Sequence, residues 1–307
     1  MDDPAFLGEP PRPTSAAEGL VLQRLPLGRH TSLRDLYVRA KDDTAAFPER
    51  CRIEEARLLA ARGAALSFDT YFGAFFEQAW RGPTALRSLA LDLRANGSFT
   101  LRILRRAAWG EEVVLHEEVL MEQEGWLSVP LPTPLVSAAG GRLFAEVTAL
   151  DGGCAIDALE WRTPDTPTAA PVGLVPVFCT FGRERQLGAV LATLAAEPGC
   201  WRDLPRIVVV NQGRPGLAGH AALAGLPAAF RARLAVVEQG NFGGAGGFTR
   251  GLLEARGTPG ATHALLMDDD VAAEPEALRR AAAFFAIARP RHALGGHMLD
   301  MLRPTRL

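Results

Sequence analysis

The chain has 307 residues, of which 48% are hydrophobic and 22% charged, ordinary values for a globular protein with room for two domains of about 150 residues. With 33 basic and 35 acidic residues the net charge is −2, so the basic footprint of a nucleic-acid binder is excluded. No stretch reaches the ~18 uninterrupted apolar residues of a membrane helix. The start, Met1-Asp2-Asp3-Pro4, lacks the basic and apolar regions of a secretory signal. Cys51, Cys154, Cys179 and Cys200 stand far apart without a CxxC pair and read as reduced thiols of a cytosolic protein.

Residues 1–18 hold four prolines and are expected to form a loose lead-in. From about residue 66 the period becomes two. Leu89, Leu91 and Leu93 alternate with smaller or polar residues, as in a strand with one buried face. Asn96-Gly97 is expected to make a tight turn, with Phe99, Leu101 and Ile103 on the return strand. Leu127, Val129 and Leu131, then Leu143, Ala145, Val147 and Ala149, repeat the pattern. Short strands with Gly/Pro turns predict an all-β sandwich over 1–165. Its aromatics Phe68, Tyr71, Phe72, Phe75, Phe76 and Trp80 suit a core better than a sugar-binding groove.

Thr163–Thr168 reads as a linker, and 166–307 as the second domain. Leu174–Thr180 is an apolar run fit for a buried parallel strand. Leu187, Val190, Leu191 and Leu194 follow at helical spacing, closed by Pro198-Gly199. Arg206–Val210 is the next strand, with Asn211-Gln212-Gly213 at its end. Leu234–Val237 is the third, followed by Asn241-Phe-Gly-Gly-Ala-Gly-Gly247 and a helix expected to bury Phe248, Leu252 and Leu253. His263–Met267 is the fourth strand, ending in Asp268-Asp269-Asp270. Pro275–Ala288 reads as a helix and Leu294–Leu299 as a further strand. Alternating strands and helices imply a parallel sheet, and ligands gather beyond the carboxyl ends of such strands. The unusual residues all fall there.

Three carboxylates after an apolar strand repel one another, and a divalent cation of the magnesium or manganese kind offsets that cost. On an extended backbone Asp268 and Asp270 share a side while Asp269 points away. A single aspartate would be enough to cap the helix that begins near Glu274-Pro275. The glycines let backbone N–H groups approach an anion at a helix N-terminus. A dinucleotide fingerprint fails, because Thr249 stands where the third glycine is required. A DxDx[T/V] phosphatase nucleophile fails at Ala272, and a nucleotidyltransferase lacks its basic glycine loop after the first strand.

Thr180-Phe-Gly-Arg-Glu-Arg185, Asn211-Gln-Gly213, the Asn241–Phe248 run and Met267-Asp-Asp-Asp-Val271 together resemble family 2 glycosyltransferases of GT-A fold. Among these, they are similar to the bacterial galactofuranosyltransferases that polymerise cell-wall galactan. The Phe68–Phe75 stretch with Trp80-Arg81 looks like part of their N-terminal sandwich. The resemblance implies a GT-A-like parallel sheet and inverting transfer from a UDP-sugar, UDP-galactofuranose above others. Its acceptor would be a glycan or lipid-linked glycan. Asp268 and Asp270 match the pair that holds Mn2+ or Mg2+ and the diphosphate. The implied donor-binding set is Thr180, Phe181, Arg183, Asn211, Asn241, Gly243, Gly244, Gly246, Gly247 and Asp269, with Asn211 standing where relatives carry an aspartate facing uracil. The same resemblance implies a cytoplasmic enzyme, open to peripheral association with the inner face of the plasma membrane and to homo-oligomerisation. In the family the catalytic base, a metal-completing histidine and the acceptor segment lie beyond the position of Leu307. The sheet is therefore expected to be incomplete and the catalytic base unassigned, with a non-catalytic sugar-nucleotide binder as the alternative. His292 and His297 read as structural, and Asp300 is the one further acidic residue expected near a strand end.

Overall fold

The computed structural model describes residues 19–27, 31–41, 49–54, 56–107, 112–132, 141–164, 171–214, 216–217 and 219–300. The lead-in expected over 1–18, the linker after Pro164 and Leu307 lie outside these residues. Two compact units emerge, one of Met1–Thr168 with Ile287–Leu307 and the other of Ala169–Ala286.

The first unit is an antiparallel sheet of nine strands: β1 (Leu20–Arg24), β2 (Arg39–Ala40), β3 (Cys51–Glu54), β4 (Arg57–Ala60), β5 (Ala65–Ser67), β6 (Phe75–Phe76), β7 (Ala90–Arg106), β8 (Glu112–Pro130) and β9 (Arg142–Thr163). A one-turn helix, α1 (Glu77–Arg81), follows β6. β9 is the spine. β7 pairs with it from Ala90↔Arg162 to Arg106↔Arg142. β6, β5, β4 and β1 also pair with β9 at successive positions along its length. Thr163, expected to open the linker, is instead the last residue of β9 and pairs with Leu20.

Asn96-Gly97 does not turn the chain. β7 runs straight through it, and the register with both neighbours shifts between Gly97 and Phe99. Gly97 has φ +109°, and a Cβ there would lie 2.4 Å from the Gly153 carbonyl. Its conformational freedom serves a β-bulge. The aromatic stretch is mainly core: Phe68 and Phe75 are fully buried and Trp80 nearly so, while Phe76 is exposed. Trp161 Nε1 donates to the Gly73 carbonyl at 3.0 Å, which closes the polar end of a buried ring.

The second unit begins with β10 (Leu174–Thr180), α2 (Glu184–Ala195) and the short α3 (Pro198–Trp201). β11 (Ile207–Asn211), the one-turn helices α4 (Ala221–Ala224) and α5 (Ala228–Arg231), and β12 (Leu234–Glu238) follow. α6 (Gly243–Arg256), β13 (His263–Met267) and α7 (Glu276–Ile287) complete it. The four strands form a parallel sheet in the order β12-β11-β10-β13. Alternation decides the two faces. Leu174, Phe178, Ile207 and Val209 join α2 and α7 side chains in one core, and Val175, Val177, Val208 and Val210 join Ala255 of α6 in the other.

Two expectations fail in this half. α6 buries Gly247, Gly251 and Ala255, leaves Phe248 half-buried, and exposes Leu252 at 43% and Leu253 at 59%. The small residues sit four apart on one face, and a Cβ on Gly251 would come 2.2 Å from Val177 Cγ1. The helix therefore lies close on the sheet with its smallest side chains inward. Leu294–Leu299 forms no strand and is largely exposed. Its approach is tied elsewhere: Ala85 N donates to Ile287 O and Arg289 N to Pro83 O, within the first unit.

Candidate functional site

The carboxyl edge of the parallel sheet gathers nearly every residue singled out in the sequence. Thr180 pairs with Asn211 and Asn211 with Glu238, so the ends of β10, β11 and β12 are level. Gln212 N donates to Thr180 O and Gln239 N to Asn211 O, which extends the ladder one step past each strand. β13 ends beside Phe178, and the three aspartates follow.

Exposure alternates through those aspartates, although the strand ends at Met267 and Asp269-Asp270 lie in a turn rather than on the extended backbone expected. Asp268 and Asp270 face solvent, while Asp269 is 7% exposed. Arg183 reaches across from the start of α2, pairing with Asp270 through Nη1 and lying 3.7 Å from Asp269 Oδ1. The guanidinium partly neutralises the acidic cluster. Beneath it, burial pushes the Cys179 thiol up, its hydrogen bond from Gln212 pulls it down, and Asp269 adds to the upward push.

Asn241 is exposed, and its Oδ1 accepts from Gly243 N at 2.9 Å. Gly243, at φ +69°, takes a backbone conformation that favours glycine. Gly244 is exposed and Gly246 half-buried. Gly247 serves packing, since a Cβ there would lie 2.1 Å from Cys179 Sγ. The first turn of α6 contains no acidic side chain, and its Gly243 N–H is already taken by Asn241 Oδ1. Phe181 is exposed at 57%.

Asn211 is fully buried and its amide is used inside the fold. Nδ2 donates to Glu238 Oε2 at 2.8 Å, and Oδ1 accepts from Gly213 N at 3.0 Å. Glu238 in turn accepts from Leu217 N at 2.7 Å.

Sequence reasoning noted Gln212 within the Asn211-Gln-Gly213 motif but assigned it no role, although it joins these loops. Gln212 Oε1 accepts from Phe242 N at 2.8 Å and from Gln239 Nε2 at 3.0 Å. Its Nε2 donates to Gly243 O at 3.0 Å and Cys179 Sγ at 3.2 Å. One side chain thereby fixes the start of α6 against the ends of β10 and β11. Its place directly after a strand, next to Asn211, was the available signal. Glu184 and Glu238 were also missed, although each flanks a strand–helix turn.

Asp300 is exposed and, with His297, belongs to the first unit. His297 packs its ring 6.0 Å from that of Tyr71, and His292 Nδ1 lies 2.9 Å from Arg289 O. Among the described residues no group of three or more His, Cys, Asp or Glu side chains could hold a metal. The protein offers the two exposed carboxylates of Asp268 and Asp270. Among the described residues no helix is long and apolar enough to cross a membrane.

Residues 172–307 match the family described as glycosyltransferase like family 2. The back half is therefore similar to family 2 glycosyltransferase domains. Residues 22–164 match the galactofuranosyltransferase 2 N-terminal family. Galactofuranosyltransferase GlfT2 of Mycolicibacterium smegmatis is 28% identical over 244 residues, which cover 79% of this chain and 38% of that protein. GlfT2 of Mycobacterium tuberculosis is 27% identical over 247 residues, with the same coverage. The chain thus spans 38% of the length of these curated relatives.

Proposed function

We propose that this chain carries the donor-binding machinery of a metal-dependent, inverting glycosyltransferase that takes UDP-galactofuranose and extends a cell-envelope glycan. The observation that supports this most is the meeting of Arg183, Asp268, Asp270 and the glycine start of α6 at one sheet edge, inside a family 2 match. The relatives named above bear the galactofuranosyltransferase name, which is the ground for the sugar. On this reading the front sheet folds as a sandwich and the back sheet is GT-A-like. The acceptor is a glycan or lipid-linked glycan met at the inner face of the plasma membrane.

The residues fit a magnesium or manganese ion. Such ions are held by one or two carboxylates and complete their shell with phosphate oxygens and water rather than with a protein cage. Asp268 and Asp270 supply those oxygens. When bound, the ion neutralises charge on the departing diphosphate as a Lewis acid. Arg183 exchanges Asp270 for a phosphate oxygen, since a guanidinium pairs with either. Beyond Gly243 N, which Asn241 holds, the first turn of α6 offers its N–H groups to the same anion.

Calorimetry with UDP and Mn2+ tests this. Asp268→Ala and Asp270→Ala are expected to abolish the metal-dependent part of UDP binding, and Asp269→Ala to weaken it less. UDP affinity unchanged by a chelator in the intact chain would overturn the metal reading.

A further inference from the structure

The start of α6 lacks the ordinary means of holding itself. Phe242, at the cap position, makes no side-chain cap bond, and four of the first five helical residues, Gly243, Gly244, Gly246 and Gly247, are glycine. Glycine is the poorest helix former after proline, and such a backbone loses much conformational freedom when it is fixed.

Gln212 supplies the order from outside the helix. It is 5% exposed, and its own N–H donates to Thr180 O, so the side chain is rooted in the sheet. Its Oε1 accepts from Phe242 N at 2.8 Å and its Nε2 donates to Gly243 O at 3.0 Å. An amide offers an acceptor and a donor together, whereas an ionised glutamate offers acceptors alone. Gly247 leaves room for it, since a Cβ there would come 3.1 Å from Gln212 Nε2. The body of α6 is fixed separately, through the buried Gly251 and Ala255. The bonds of Gln212 therefore order the first turn and not the helix as a whole.

What stays open in that turn is what an anion needs. Gln212 holds Phe242 N and Asn241 holds Gly243 N. The next N–H groups, of Gly244 and Ala245, have no carbonyl within the helix to meet. A Cβ on Gly244 would have nothing within 4 Å, and its φ lies outside the left-handed region. Neither packing nor backbone conformation requires glycine there, and the missing side chain leaves the N–H open to close approach.

We propose that Gln212 is a positioning residue for the donor: by pinning Phe242 and Gly243 it aims the Gly244 and Ala245 N–H groups at the diphosphate. This rests on the donor reading above and adds a residue outside its metal pair and its glycine run.

The test titrates the full chain, in Mn2+, with UDP and with uridine, which lacks the phosphates. Gln212→Leu removes every bond of the amide. It is expected to lower UDP affinity about tenfold or more, the range of one hydrogen bond to a charged group, and to leave uridine affinity unchanged. Gln212→Glu keeps the bond from Phe242 N but has no proton to give Gly243 O, and should also lower the ratio of UDP to uridine affinity. Hydrogen exchange over residues 240–247 should quicken in both variants while the amides of β10 and β11 keep their protection. An unchanged affinity ratio in a variant that keeps strand protection, unchanged exchange over 240–247, or loss of strand protection in both variants would overturn the positioning role and leave the donor reading standing. Absence of UDP binding in the wild type would overturn the donor reading, and this proposal with it.

Discussion

His263 opens β13 with its ring stacked on Phe285, 4.0 Å between centroids, and Nδ1 2.8 Å from Thr262 Oγ1. Burial pushes its imidazole below the ordinary value. The unfolded chain, with a pKa near ~6.5, therefore takes up the proton first as pH falls. Stability from this residue is complete above that value and is lost between it and the lower folded pKa. The urea midpoint should fall from pH 7.5 to pH 5, and His263→Phe, which keeps the stack, should fall less over the same range. A parallel decline in both proteins would remove His263 from the account. The cysteines follow the same logic of burial. Cys154 is pushed up to about 12, first by desolvation and then by neighbouring Cys51. No disulfide joins the four cysteines among the described residues.

At the scale of elements, α6 gives two substitutions of opposite sign. Gly251→Ala would normally gain helix propensity, worth about 1 kcal/mol. Here the new methyl would meet Val177 Cγ1 at 2.2 Å, and overpacking of this kind costs about 1–3 kcal/mol. A methyl added at Gly244 would have nothing within 4 Å, so Gly244→Ala should be neutral or stabilising by at most about 1 kcal/mol. Chemical denaturation of both variants checks the pair, and destabilisation of equal size would show that the close approach to the sheet does not matter. The same helix marks where the sequence stops being legible. The strands were readable because Leu174–Thr180 and His263–Met267 are short, apolar and bounded by polar ends. The meeting of the candidate residues at one sheet edge was readable because they follow the ends of successive parallel strands. The buried face of α6 was not, because apolar periodicity weighs large side chains and overlooks glycines that pack closely. Gly97 misled for a related reason: positive φ serves a bulge as well as a turn. Gln212 was read as part of the Asn211-Gln-Gly213 motif but given no role, because an uncharged amide shows nothing of its partners in sequence. Its importance lies in four hydrogen bonds, none of which composition reveals.

At the scale of the molecule, each unit has its own sheet and buried residues. The segment from Ile287 onward groups with the first unit, where Thr84 and Ala288 form an antiparallel bridge. Every residue assigned to donor binding lies in Ala169–Ala286. A ligand stabilises only the structure that binds it, by about 2.7 kcal/mol at one hundred times its Kd. For a domain of about 120 residues that corresponds to a rise of roughly 10 °C in melting temperature. Calorimetry of the full chain with UDP and Mn2+ should therefore raise the transition of the parallel-sheet unit by roughly this amount. The transition of the antiparallel sheet should stay within about 1 °C, and proteolysis of partly melted samples would assign the two. A UDP photo-crosslink should map to residues 172–286. A crosslink at the Phe68–Trp80 segment, or a shift confined to the antiparallel transition, would move the nucleotide site out of the second unit altogether.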